Sequence, residues 1–106
     1  MGLFDWLLQV AIQTAVTAAT IWLIKETVTY LVTKTNLPQA IRRFVAGHKR
    51  DDKRLESATK VMVKENTGHE VCFTIFDDYN TNLGDGNIAS DVGISNDIRS
   101  GDVIIL

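Results

Sequence analysis

Residues 6–24 form a stretch of 19 residues that contains no charged side chain. A helix of about 20 residues is needed to cross the hydrocarbon core of a bilayer, so this stretch has close to the required length. Trp6 and Trp22 lie near its two ends, where aromatic side chains favour the membrane interface. The stretch predicts a membrane-inserting helix. We assign it residues 1–35, because the apolar face continues through Thr33.

Polar side chains interrupt the apolar stretch along one side of the predicted helix. At 100° per residue, four of them fall within about 40° of one another; they are Gln9, Gln13, Thr20 and Thr27. A separate strip of small residues consists of Ala11, Ala15 and Ala19. Small residues let membrane helices approach closely, and amide and hydroxyl groups hydrogen-bond between helices. These seven residues therefore predict self-association of the helix, as a homo-oligomer.

Three interpretations of this helix stay open on the sequence. In the first, the helix spans the bilayer and oligomerises through its polar stripe. In the second, it lies on the membrane surface as an amphipathic helix. In the third, it is buried in a soluble assembly and the polar stripe is its hydrated side.

The charged residues divide the rest of the chain into two segments of opposite sign. Residues 25–64 hold ten Lys/Arg and four Asp/Glu, a net charge of +6, whereas residues 65–106 hold eight acids and one Arg, a net charge of −7. Six of the basic side chains follow the predicted membrane helix closely: Arg42, Arg43, Lys49, Arg50, Lys53 and Arg54. The positive-inside bias then predicts a cytoplasmic C-terminal part, with these side chains at anionic headgroups. A solvated helix with internal salt pairs is the alternative.

A short amphipathic helix is predicted after the membrane segment. Asn36 can cap a helix, and Pro38 suits its first turn. Ile41, Phe44 and Val45 follow at helical spacing and give one apolar face. We assign residues 36–57 to this basic connector helix. The basic run lacks interleaved aromatic residues, so we expect no nucleic-acid partner.

Residues 58–106 change from helical to alternating periodicity. Val61 and Val63 share one predicted strand face, and Val71, Phe73 and Ile75 share another. Asn66, Thr67 and Gly68 lie between the two runs as a hairpin loop. A last run, Val103 to Leu106, predicts a closing strand. We therefore expect an α+β chain, with a transmembrane-type helix, a short basic helix and a small antiparallel β module.

The sequence offers no set of residues for catalysis or for binding a cofactor. The single cysteine, Cys72, lies in an alternating run, and we interpret it as a small buried hydrophobic residue. The acidic stretch 77–87 resembles a calcium loop in composition. However, Leu83 and Ala89 occupy the positions that need Gly and a bidentate Glu, so turn formation explains the stretch better. We expect no enzyme activity, no cofactor and no metal site.

These features together predict a single-pass membrane protein that self-associates through its N-terminal helix. Its small cytoplasmic β module would bind or organise a protein partner. One alternative is a homo-oligomeric pore, a toxin-like or lysis-type effector, with the polar stripe facing the lumen. Another is a soluble helical-β subunit of a larger assembly.

Overall fold

The computed structural model describes residues 23–106 and their side chains from Lys25 onward. Five strands and one α-helix occur in this part of the chain. In chain order they are β1 (Leu23–Val28), α1 (Leu37–His48), β2 (Lys60–Asn66), β3 (Glu70–Phe76), β4 (Asn82–Ser90) and β5 (Val103–Ile105). A short 3-10 helix, Lys53–Ser57, precedes β2. The described part is thus α+β, as the sequence predicts.

The five strands form one sheet in the order β1-β4-β3-β2-β5. The pairs β2–β3, β3–β4 and β2–β5 are antiparallel, but β1 is parallel to β4, with Leu23 opposite Asp85. The sheet is therefore mixed, which corrects the prediction of an antiparallel module. Parallel strands need a long connection. Here the connection is most of the chain between residues 28 and 82, including α1.

The predicted continuation of the N-terminal helix through Thr33 is wrong, because β1 occupies part of that range. β1 contains the β-branched residues Ile24, Thr27 and Val28, which favour extended backbone. Pairing with the edge of β4 satisfies the backbone amides and carbonyls of β1. Val32 then forms an isolated bridge with Ile94, and its side chain is fully buried.

The helix α1 begins where the sequence predicts. Asn36 occupies the N-cap position and Pro38 lies in the first turn. The Asn36 side chain bonds backward, accepting from the amide of Thr33 and donating to the carbonyl of Leu31. It thereby fixes the loop before the helix, while the first helical amides receive no side-chain cap.

The predicted helical connector 36–57 is interrupted after His48. The amides of Asp51 and Asp52 both donate to the His48 carbonyl, closing the last turn. Asp52 has extended backbone, and its carboxylate accepts from the Arg54 amide to start the 3-10 helix. The short polar side chain of Asp competes for backbone amides in this way, which favours caps and turns over helix interiors. Leu55 then returns the chain to the core.

The core lies between α1 and one face of the sheet. Ile41, Phe44 and Val45 of α1 pack there with the strand residues predicted to share a face, Val61, Val63, Val71, Phe73 and Ile75. The rings of Phe44 and Phe73 meet edge to face, with centroids 5.2 Å apart. A Cβ at Gly86 would lie 2.6 Å from Phe73 Cε2 and 2.8 Å from Phe44 Cε1. Glycine is therefore required where these two rings meet β4.

The predicted hairpin β2–β3 is confirmed. Its strands pair from Lys60 opposite Phe76 to Asn66 opposite Val71, and Gly68 has a positive φ of 91° in the loop. Glycine adopts this conformation without a steric penalty. The predicted last strand is confirmed as β5, which pairs with β2.

Candidate functional site: the polar face of the sheet

The sheet face opposite α1 carries a connected set of polar side chains, which we call the polar face. Strand register places Lys25, Asn87 and Cys72 in one row, and Thr74 and Asp85 in the next. Glu70 lies beside the first row and Lys64 beside both rows. Alternation along each strand turns these side chains away from α1.

A β-bulge in β2 positions two charged residues on the polar face. Val63 pairs with Phe73 and Glu65 pairs with Cys72, so Lys64 has no partner in the register. A bulged strand directs two consecutive residues against one residue of its neighbour. Lys64 and Glu65 therefore both reach the polar face, although strict alternation would separate them.

Asp85 is the centre of a buried group on this face. Thr74 Oγ1 donates to Asp85 Oδ1 over 2.8 Å, and Lys64 Nζ donates to Asp85 Oδ2 over 2.9 Å. Thr74 is completely buried and Asp85 is 7 % exposed. Both carboxylate oxygens thus have a donor, as a buried charge requires.

A second group links β1 to β3 and β4. Lys25 Nζ donates to Glu70 Oε1 over 2.7 Å, and Asn87 Nδ2 donates to Glu70 Oε2 and Cys72 Sγ over 3.2 and 3.1 Å. The hydrogen bond from Lys25, followed by that from Asn87, lowers the pKa of Glu70. Asn87 Oδ1 is buried and accepts no hydrogen bond from the described residues. This group therefore retains one unused acceptor.

The Cys72 thiol lies on the polar face, beside Asn87 and opposite Glu65. Burial, followed by the charge of Glu65, raises the pKa of the Cys72 thiol. A thiol with a raised pKa is a poor nucleophile at neutral pH. Among residues 23–106, His, Cys, Asp and Glu side chains form no group suited to a metal ion.

The six basic residues predicted to contact the membrane are all exposed on α1 and the turns after it. Arg42 donates to the carbonyl of Ile105 at 3.2 Å, and Arg54 pairs with Asp52 at 2.6 Å. The other four make no ion pair with any residue from 23 onward: Arg43, Lys49, Arg50 and Lys53. Their charges are therefore available to anionic groups outside the described fold.

Three exposed apolar side chains gather at one end of the sheet, which we call the apolar end. They are Tyr30, Leu31 and Val92, with Leu31 47 % and Val92 61 % exposed. The Ser90 hydroxyl holds their loops together, donating to the Tyr30 carbonyl and accepting from the Val92 amide. The apolar end follows the last residues of β1 and β4, so it lies opposite the end where β1 begins.

Most of the residues predicted to mediate oligomerisation, from the polar stripe and from the strip of alanines, lie outside the described part of the chain, as do Trp6 and Trp22. They are Gln9, Ala11, Gln13, Ala15, Ala19 and Thr20. Thr27 is described: it is exposed in β1 and pairs with Ala89. Within residues 23–106, no helix has the length and apolarity that crossing a bilayer requires.

Sequence reasoning missed the polar face as a connected site. The alternation of β3 already placed Cys72 and Thr74 opposite the core residues. However, Asp85 and Asn87 were assigned to a turn-rich stretch, although they belong to β4. Comparisons with known protein families, with curated proteins and with solved structures find no match to this chain.

Proposed function

We propose that the chain is a single-pass membrane protein whose N-terminal segment anchors and oligomerises a small binding head. The observation that carries the proposal is the position of β1. This strand begins at Leu23, directly after 17 charge-free residues from Trp6 to Trp22. The head of residues 23–106 holds a buried core of its own. The charge-free segment is then available as an anchor of about 25 Å, if it is helical.

The exposed basic residues support a cytoplasmic head. Arg43, Lys49, Arg50 and Lys53 make no ion pairs with the described residues, so they can meet anionic headgroups without breaking an internal contact. Each basic side chain near such a surface contributes about 1 kcal/mol. When these basic residues face the bilayer, Leu31 and Val92 at the apolar end are exposed to a protein partner.

The polar stripe supports self-association of the anchor. A lone helix in lipid would expose the amides of Gln9 and Gln13 to hydrocarbon, which is unfavourable. A packed bundle pairs these amides between helices. A homo-oligomeric pore is the second candidate, since the same stripe could face a water-filled lumen.

Carbonate extraction of membranes that contain the full chain tests the anchor. We expect the protein to stay in the membrane pellet. Ala15→Arg should release it into the wash, because a charge at the centre of a membrane helix costs about 2.5–3.5 kcal/mol. Thr29→Arg is the matched control, since Thr29 is exposed in the described head. Release of the unaltered protein would refute the anchor.

A further inference from the structure

β5 lies at one edge of the sheet, and no strand within residues 23–106 pairs with its outer side. The Asp102 carbonyl accepts from β2, and the Leu106 amide donates to the residue before β2. In an antiparallel pair the backbone groups of successive residues point alternately toward and away from the partner. The amides and carbonyls of Val103 and Ile105 therefore point outward. The Ile105 carbonyl accepts from Arg42 at 3.2 Å, and a carbonyl has a second lone pair for a further donor.

The two edges of the sheet differ in their protection against further pairing. The edge strand β1 contains the charged residues Lys25 and Glu26. Charged side chains on an edge strand oppose pairing with another chain. β5 contains no charged residue, and the side chain of Ile105 is 63 % exposed. A further strand can therefore add at the β5 edge more readily than at the β1 edge.

We propose that β5 pairs with β5 of a second copy of the chain, antiparallel about a two-fold axis beside Ile104. Two five-stranded sheets then join into one sheet of ten strands. The outward backbone groups set the register. Val103 of each chain lies opposite Ile105 of the partner subunit, and each of these pairs exchanges two backbone hydrogen bonds. A contact of this kind is isologous, so the same surface serves both copies.

The proposed register also brings apolar side chains together. Val103 and Ile105 project to the same face of β5, as alternate residues do. The exposed Ile105 therefore packs against Val103 of the partner subunit. A groove of about 470 Å³ lies between β5 and the start of α1, where Leu37 and Pro38 line it. Ile104 of the partner subunit lies at the mouth of this groove and can enter it.

The charges beside β5 are complementary across the same axis. Arg42 makes no ion pair with any residue from 23 onward. Asp102 of the partner subunit falls opposite Leu106, one residue beyond the Ile105 carbonyl that Arg42 contacts. Its side chain points to the α1 side of the sheet, as alternation along the strand requires. The two-fold axis thus forms this ion pair twice, which favours a second copy over an unrelated peptide.

Disulfide formation in the full chain tests the pairing and its register. In a Cys72→Ser background, Ile104→Cys places two thiols opposite each other at the axis, with Cα atoms about 4.5 Å apart. A disulfide spans about 4.4–6.8 Å between Cα atoms. We therefore expect a covalent dimer as the main product when the protein is mildly oxidised in detergent. Ile105→Cys in the same background is the control, because its two copies are diagonal neighbours about 7–8 Å apart. It should stay largely monomeric on a denaturing gel.

Mixed chains give a second measurement that leaves Ile104 in place. Val103→Cys and Ile105→Cys chains, each with Cys72→Ser and one of them tagged, place their thiols directly opposite each other. The mixed disulfide should exceed both disulfides between identical chains.

Added charge gives a third measurement. Ile105→Lys, added to the Ile104→Cys chain, puts a charge on the edge and should reduce the covalent dimer several-fold. Val92→Lys puts the same charge on an exposed residue of the apolar end and should leave the dimer unchanged.

The outcomes separate this pairing from chance contact and from the anchor. Equal disulfide yields from Ile104→Cys and Ile105→Cys would overturn the proposal, because they indicate another register or random collision. Absence of a disulfide at residues 103, 104 and 105, or an equal reduction by both lysines, would also overturn it. The pairing does not require the anchor. If carbonate releases the protein while Ile104→Cys still forms the dimer, the anchor is wrong and the edge pairing stands.

Discussion

Lys64 Nζ lies 2.9 Å from Asp85 Oδ2, although β2 and β4, the strands that carry these residues, are not neighbours in the sheet. The two residues are separated by β3, whose Thr74 donates to the other oxygen of the same carboxylate. The β-bulge at Lys64 provides the reach. This contact ties β2 to β4 on the face of the sheet that lacks α1.

The first prediction concerns Asp85. Asp85→Ala leaves the buried hydroxyl of Thr74 and the ammonium of Lys64 without their acceptor. We expect a loss of about 1–3 kcal/mol in the free energy of unfolding, measured by urea denaturation. Glu65→Ala removes an exposed carboxylate from the same face and should change stability by less than about 0.5 kcal/mol. Equal effects of the two variants would show that the buried pairing contributes nothing.

The second prediction concerns two glycines. Gly86→Ala inserts a methyl group between the rings of Phe44 and Phe73, and overpacking of this kind costs about 1–3 kcal/mol. Gly47→Ala is the same chemical change on exposed α1, with no atom within 4 Å of the new Cβ. It should stabilise the protein by about 0.5–1 kcal/mol. Thermal unfolding should therefore shift in opposite directions. A neutral Gly86→Ala would contradict the packing of α1 on β4.

The third prediction concerns the pH dependence at Glu70. The hydrogen bond from Lys25 lowers the pKa of Glu70 in the folded protein. A lowered carboxyl pKa gives stability that is present above the unfolded pKa and is lost as pH falls through the folded pKa. Lys25→Met should raise the pKa of Glu70 toward its ordinary range, as measured by NMR titration of the side-chain carboxyl. Lys34→Met removes a lysine that lies near Asp102 instead, and it should leave Glu70 unchanged.

Local patterns predicted the elements whose residues lie close together in the sequence. The β2–β3 hairpin, the start of α1 directly after Asn36 and the division of Val71 and Cys72 between two faces all follow from short-range periodicity and turn chemistry. These features need only neighbouring residues to form, so a single sequence contains them.

Long-range pairing explains what the sequence did not predict. The segment Leu23–Val28 has apolar and β-branched residues that suit a helix or a strand. Its partner β4 lies about 60 residues later, so its extended form depends on tertiary contacts. The stretch 77–87 was interpreted as a turn because it is rich in turn-forming residues, but Asn82 to Asn87 belong to β4. Gly86 lies inside a strand, because two aromatic rings occupy the space of its side chain.

The fourth prediction separates a packed bundle from a pore. Gln9→Leu with Gln13→Leu removes the amides of the polar stripe. In a packed bundle, each lost interhelical hydrogen bond should cost about 0.6 kcal/mol, so the oligomer should weaken in detergent. In a pore, the oligomer should persist while vesicle leakage disappears. Thr14→Leu, which lies outside the stripe, is the control. If neither the oligomer size nor the leakage changes, the polar stripe has no role in a packed bundle or in a pore.

Depth-dependent quenching of tryptophan fluorescence tests the membrane anchor most directly. Both tryptophans of the chain, Trp6 and Trp22, lie in the N-terminal segment, so their emission reports on it alone. A single tryptophan at mid-segment is made by Ala15→Trp with Trp6→Phe and Trp22→Phe. In vesicles, we predict that quenchers at the bilayer centre reduce its emission more than quenchers near the headgroups. For the variants that retain only Trp6 or only Trp22, we predict the reverse order. Stronger headgroup quenching at residue 15 would place the segment on the surface, and no quenching at any of the three positions would contradict membrane attachment altogether.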